Sequence, residues 1–183
     1  MLKTRSILVS STVKIKNQIH GMLLGYGIET KSSQFQSKKK RQELLNDLED
    51  HDYSQFTASS LEVTLNILDE IYAQVKKIEG QIKEMTKENE DVELLKTMPG
   101  IGFVGATTIA SYTADITRFG GDFKRFSSYL GIVPSVHNSA DSIRMGHITK
   151  RGPQDLRTAF VQVAMGISRQ PQNTAEWKLM KDY

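Results

Sequence analysis

Eight apolar residues, Leu61, Leu65, Leu68, Ile71, Val75, Ile78, Ile82 and Met85, recur at steps of 4, 3, 3, 4, 3, 4 and 3. That alternation keeps them on one narrow stripe of an α-helix and carries one irregular step against a strict heptad. A strand would need a period of two. The pattern therefore predicts one helix over residues 58–87, with Thr57 or Ser59 as its cap. At 1.5 Å per residue it runs about 45 Å, more than a small domain's core requires. Such an arm needs a partner along its stripe. The candidates are the same helix of a second chain, which gives a homodimer through residues 58–87, and the helix expected over residues 2–24.

The helix over 2–24 places Leu8, Ile15, Ile19, Met22 and Leu23 on a broad apolar face, with Lys3, Arg5, Lys14 and Lys16 elsewhere around it. Gly25-Tyr26-Gly27 stops it. Residues 29–41 read as a polar connector ending in Lys38, Lys39, Lys40 and Arg41. Four adjacent cations, if exposed, favour phosphate contacts and salt-sensitive binding, although a charge run in a solvated linker reads the same. Asp47, Glu49, Asp50, His51 and Asp52 follow. With no second cluster to complete a coordination shell, they are assigned no metal.

Net charge is only +3, but it is unevenly spread. Residues 1–41 hold nine lysines and arginines against one acid, residues 42–117 five against fifteen, and residues 118–183 ten against five. Two basic ends around an acidic middle point to nucleic acid at the ends. The chain has no cysteine, which excludes a disulfide framework or a thiolate metal site. No apolar run approaches the roughly 18 residues that span a bilayer, and no secretory leader pattern is present. The expected setting is cytoplasmic, with no membrane partner.

The second half carries the chemistry. After Leu94 and Leu95, Met98-Pro99-Gly100-Ile101-Gly102 interrupts the helix, and helical character resumes at Phe103. The expected motif is a helix-hairpin-helix with small Ala106 at the crossing. Free N–H groups at the second helix start, beside Gly100 and Gly102, suit a phosphate; a tight helical corner is the competing reading. Phe119, Phe123 and Phe126 fit one inward helical face. Ser135, Ser139 and Ser142 lie in a polar stretch followed by Arg144, His147, Lys150, Arg151 and Arg157. Residues 143–149 are expected to turn about Gly146 as a small hairpin, and Pro153 opens a helix over 154–169 with Leu156, Phe160, Val161, Val163, Ala164 and Ile167 inward. A serine becomes a nucleophile only where its proton is taken and charge on the attacked group is stabilised. For a phosphodiester the stabilisers would be the arginines and lysines nearby; a solvated basic loop would look similar.

Met98-Pro-Gly-Ile-Gly102, Ala106, Asp115-Ile116, Arg118-Phe119, Phe126-Ser127, Tyr129-Leu-Gly-Ile-Val-Pro134, Ser139, Gly146, Ile148-Thr-Lys-Arg-Gly152 and Leu156-Arg157 resemble, in order and spacing, the C-terminal domain of the DEDD-type insertion-sequence transposases, the family of the Piv-like DNA invertases. The resemblance implies RNA-guided DNA recombination at a composite active site. An N-terminal RNase-H-like domain would supply an acidic quartet holding Mg2+. The C-terminal domain would supply a serine that joins DNA through a phosphoserine link. Ser139 matches that serine, though Ala140 stands where the family usually has glycine. No residues here match the acidic quartet, so the chain looks like the C-terminal half of a transposase, and its own C-terminus also looks short of the family's. No cofactor is expected in this chain.

The expected fold is mainly α: a basic N-terminal helix and long coiled-coil arm over residues 1–91, then a compact helical transposase domain over 92–183 with at most a small β-hairpin. The expected partners are DNA, a guide RNA and a second copy of the chain. Ser139 is the expected nucleophile. Gly100, Gly102, Arg144, His147, Lys150, Arg151 and Arg157, with Lys38, Lys39, Lys40 and Arg41, are the expected DNA contacts. His137, His147, metal-bound solvent and an acid from elsewhere all remain open as general base. Without the acidic domain the chain alone is expected to bind rather than cleave. The alternatives are a non-catalytic DNA-binding and dimerisation module and a purely structural coiled coil.

Overall fold

The structure is a computed structural model that describes residues 1–48, 55–139 and 142–169; side chains are left out for Asp47, Leu48, Gln55, Phe56 and residues 137–139 and 142–143. The acidic cluster at 49–52 and the tail beyond residue 169 lie outside the described residues. The fold is mainly helical with one small antiparallel hairpin. It divides into two compact units, Met1–Met85 and Thr86–Tyr183, so the approach to the second unit's first helix belongs with that unit.

In the first unit, α1 (Leu2–Leu24) and α3 (Gln55–Met85) pack side by side. They run antiparallel. Arg5 Nε donates to Glu79 at 2.7 Å, the Lys16 ammonium lies 5.4 Å from the centre of the Tyr72 ring, and Tyr26 bonds Thr57 at 2.7 Å. The apolar stripe of α3 thus finds a partner inside the chain. Leu61, Leu65 and Leu68 are buried with Ile19 and Leu23. Each such side chain stabilises the fold by roughly 1.5–3 kcal/mol. The helix starts ahead of Thr57 and Ser59, so neither is its cap.

Residues 38–48 differ from the expected connector: Lys38–Leu48 is a helix, α2. A short 3-10 turn, Ser32–Phe35, leads into it and drives Phe35 into the core beside Leu44. These two apolar anchors, and not the surrounding charge, make the segment fold. Arg41 must be separated from its three neighbours. Its side chain is 6% exposed, one guanidinium nitrogen donates to the Phe35 carbonyl oxygen at 2.7 Å, another pairs with Asp69, and the Tyr72 ring lies 5.1 Å away. Burial is the larger influence on its pKa and lowers it. This cation fastens α2 to α3 and is not a phosphate contact.

The second unit begins with α4 (Glu90–Lys96), whose N-cap Asn89 accepts from Val92 N at 3.0 Å and whose first turn is acidic. A turn through Gly100 leads to α5 (Phe103–Thr113), with Ala106 fully buried. A 3-10 turn (Ile116–Phe119) and α6 (Phe123–Leu130) follow, then β1 (Pro134–Ser139), β2 (Ser142–Ile148) and α7 (Gln154–Ser168). Ile109, Leu130, Leu156 and Ala159 form the core, with Leu95, Ile101, Phe126, Phe160 and Val163 against it.

Several expected inward residues point out. Phe123 and Val161 are exposed, as is Ala164. Phe119 and Phe126 do pack, ring centres 5.1 Å apart. The expected polar serine loop is instead a strand, and the hairpin turns between Ser139 and Ser142. Gly146 does not make the turn. The register passes from Pro134 opposite Ile148 to Val136 opposite Met145. Gly146 and His147 therefore face Ser135 alone, a bulge that glycine suits.

Candidate nucleic-acid interface

The base of the hairpin is rooted in a backbone crossing. Gly131, at φ +68°, ends α6. The return strand lies directly over it: Thr149 N donates to the Val133 carbonyl oxygen and Lys150 N to that of Gly131, each at 2.9 Å. A Cβ on Gly152 would stand 1.9 Å from the Tyr129 carbonyl oxygen, and one on Gly131 would stand 2.7 Å from Gly152 N. Only glycine fits at these two points. Lys150 itself takes φ +54°, a region non-glycine residues seldom occupy. The two expected motifs, Tyr129–Pro134 and Ile148–Gly152, are thus two sides of one joint.

Arg157 belongs to that joint. Its Nη1 donates to the carbonyl oxygens of Leu130 at 3.0 Å and Gly152 at 3.3 Å. It ties α7 to the crossing, which gives this side chain a structural role. Lys150 and Arg151 leave the joint exposed, as do Arg144 and His147 on β2.

Ser139 is the last residue of β1 and pairs with Ser142 across the turn; Arg144 pairs with His137, two residues back from the tip. The strand from Pro134 to Ser139, at about 3.4 Å per residue, separates the tip from the base by roughly 17 Å. The structure therefore puts Arg144 near the serine and His147 part way down. Lys150 and Arg151 sit at the base, too far to grip the same phosphate as Ser139.

The α4–α5 turn divides its two glycines between roles. Gly100, at φ +81°, lies under α7. A Cβ there would come 3.1 Å from the Val163 carbonyl oxygen, and one on Gly166 would come 3.1 Å from Gly100 Cα. Close helix packing explains Gly100. Gly102 is the exposed N-cap of α5, with open space where a Cβ would be and no side-chain cap bond over the helix start. The first-turn amides beside it are the part of the corner suited to an anion. Lys38, Lys39 and Lys40 are exposed on α2 in the first unit; Lys39 has a loose 3.8 Å pairing with Glu43.

Arg118 is a further exposed cation of this unit. Its guanidinium carbon lies 4.6 Å from the centres of both the Phe119 and Tyr129 rings, and Nη2 donates to the Tyr112 carbonyl oxygen at 2.8 Å. The Arg-Phe pair at 118–119 was the available signal. Tyr112 in turn donates to Asp155 at 3.2 Å; burial first, then that bond, pushes its phenol above the usual range. Thr117 donates to Asp115 through both backbone and side chain, which holds that carboxyl below its usual value.

Among the described residues no three histidine, aspartate or glutamate side chains converge to hold a metal ion. None of the described helices is long and apolar enough to cross a membrane.

A serine at the turn of a rooted hairpin, with exposed cations along it, is an arrangement suited to a phosphodiester strand. Residues 92–178 match the family model described as Transposase IS116/IS110/IS902 family. The chain is also 27% identical to the transposase for insertion sequence element IS1111A of Coxiella burnetii, over 97% of its own length and 48% of the relative's. A probable family 20 transposase of Pseudomonas aeruginosa is 26% identical over 92% and 50%. The transposase for insertion sequence element IS1328 of Yersinia enterocolitica is 27% identical over 96% and 52%. These matches support an insertion-sequence transposase. The chain spans about half the length of the curated relatives it matches.

Proposed function

We propose that this chain is the DNA-contacting, nucleophile-bearing half of a DEDD-type insertion-sequence transposase. Ser139 Oγ attacks a scissile phosphorus, a phosphoserine ester forms, and the sugar oxygen leaves. Arg144 stabilises the charge at that phosphate. Lys150 and Arg151 hold the strand farther along, and the first-turn amides of α5 at Gly102 take another phosphate. The observation that carries the reading is Ser139 at the hairpin turn, with Arg144 two residues behind it. The acidic quartet that would hold Mg2+ matches no residues of this chain and would come from an RNase-H-like domain. Lys38, Lys39 and Lys40 meet the backbone of DNA or of a guide RNA.

The test uses DNA with a sulfur in place of the bridging leaving oxygen. The serine O–P bond forms, the P–S bond breaks, a thiolate leaves without needing an acid, and the serine proton passes to solvent. With the acidic domain supplied in trans, the native chain should give a denaturation-resistant adduct that maps to Ser139, and Ser139→Ala should give none. An adduct at Ser135 or Ser142 would reassign the nucleophile. Salt-dependent binding without any adduct would leave a DNA-binding module.

The proposal includes a homodimer. Its surface is the outward side of α3, where Val63 is 58% and Ile67 48% exposed, one turn apart. In sedimentation equilibrium the native chain should be dimeric and a Val63→Asp/Ile67→Asp double variant monomeric. A native monomer at tens of micromolar overturns this part.

A further inference from the structure

A second cationic surface lies at the corner between the 3-10 turn and α6. Phe123, the first residue of α6, is 74% exposed, and Ile116 is 58% exposed. A phenylalanine so open at a helix start contributes little to the core. Around it the chain carries Arg118, Lys124 and Arg125, all exposed. Arg118 is already held between Phe119 and Tyr129 and fixed to the Tyr112 carbonyl, so little rotamer freedom remains to be lost when it meets a ligand. Arg125 lies over the turn, its Nη1 3.9 Å from where a Gly120 Cβ would be; Gly121 has open space at the same position. At Gly121 a chain of another molecule can approach the backbone without meeting a side chain.

Against these three cations stand two acids, Asp115 and Asp122, so the corner keeps one net positive charge. Asp115 accepts from Thr117 N at 2.9 Å and Asp122 from Lys124 N at 2.8 Å, so both cap helical turns. Asp122 also has a loose 3.6 Å pairing with Arg125. What remains outward at the corner is the Phe123 ring, with Arg118, Lys124 and Arg125 exposed within five residues of it along the chain.

We infer that Phe123 is a stacking platform for an unpaired base, with Arg118, Lys124 and Arg125 as contacts for the flanking phosphates of a single strand. The ring supplies a π-face that any base fits, and the cations supply the backbone term. A duplex, whose bases are already stacked, gains only the charge term. An apolar protein partner would use Phe123 and Ile116 but would not require three exposed cations on the same corner.

The probes are oligothymidine and oligouridine of about 12 residues, with a duplex of matched length. Phe123→Ala should weaken single-strand binding about tenfold and leave duplex binding within twofold. Phe123→Tyr should retain single-strand binding. The better-bound single strand shows whether the ligand is DNA or RNA. Phe123→Trp should gain fluorescence that either bound single strand quenches beyond the response of the parent chain, whose own tryptophan is Trp177. Unchanged single-strand affinity in Phe123→Ala, no single-strand binding by the native chain, or equal weakening toward duplex overturns the inference. The readout is independent of Ser139 and of Lys150 and Arg151, so a failure here is distinct from a failure of the strand-transfer reading.

Discussion

Gly152→Ala is expected to cost about 4 kcal/mol or more, among the largest effects a single methyl group produces. The added Cβ would stand 1.9 Å from the Tyr129 carbonyl oxygen and 2.6 Å from the Leu130 carbonyl carbon. Both are backbone atoms at the end of α6, so neither can swing aside as a flexible side chain would. The crossing must open, and with it go the Lys150 N–Gly131 O bond and the two carbonyls held by Arg157. For a unit of this size a loss of 1 kcal/mol lowers the melting temperature by about 4–8 °C, so thermal unfolding followed by circular dichroism should show a drop of roughly 15 °C or more. Gly105→Ala is the control: it lies within α5, and its Cβ would meet only Ile101, at 3.8 Å. That change should be neutral or stabilise by about 0.5–1 kcal/mol. A Gly152→Ala chain melting within 2 or 3 °C of its parent, on the order of ~0.5 kcal/mol, would show that the strands do not cross this closely.

The second large effect is on binding. The Lys150→Ala/Arg151→Ala double substitution should flatten the slope of log affinity against log salt for duplex DNA by about two units. Affinity at low salt should fall by about a hundredfold. Both residues are exposed at the hairpin base, so the fold should survive the change. Arg157→Lys offers the contrast. Because its guanidinium bonds two carbonyl oxygens, its replacement should lower the melting temperature and leave the salt slope unchanged. An unaltered slope in the double variant would remove the hairpin base from the DNA surface.

Most of the helical framework was legible in the sequence. The 3–4 repeat of α3, the Gly25–Gly27 stop of α1, the break at Pro99–Gly102 and the start of α7 at Pro153 are local signals, and each helix formed where its signal lay. What escaped depended on distant partners. Nothing local separates Arg41 from Lys38, Lys39 and Lys40; its burial is decided by Asp69, twenty-eight residues on. Helix α2 was hidden because its lysines outweigh Leu44, which matters only once Phe35 and the α1–α3 pair are in place. The hairpin was misplaced because a glycine inside an alternating stretch signals both a turn and a bulge, and only the pairing of Val136 with Met145 separates the two. The candidate residues of the hairpin could be named from the sequence, and their arrangement along it could not. Arg157 reads as a plain cation because the crossing whose carbonyls it bonds joins Gly131 to Gly152, and Phe123 reads as core because it shares a spacing with Phe119 and Phe126.

The antiparallel pairing of α1 with α3 also makes the first unit a ruler. Leu61, Leu68, Val75 and Ile82 repeat every seven residues along α3, while Arg5, Leu8, Thr12, Ile15, Ile19 and Met22 follow steps of three and four along the inward side of α1. Removing seven residues from each helix at matched positions preserves the phase of both seams and shortens the arm by about 10 Å. Removing three or four from only one helix rotates its stripe out of the seam. Length in this unit is therefore set in discrete increments, so that copies of the arm differing by whole heptads can hold the same contacts at different spans.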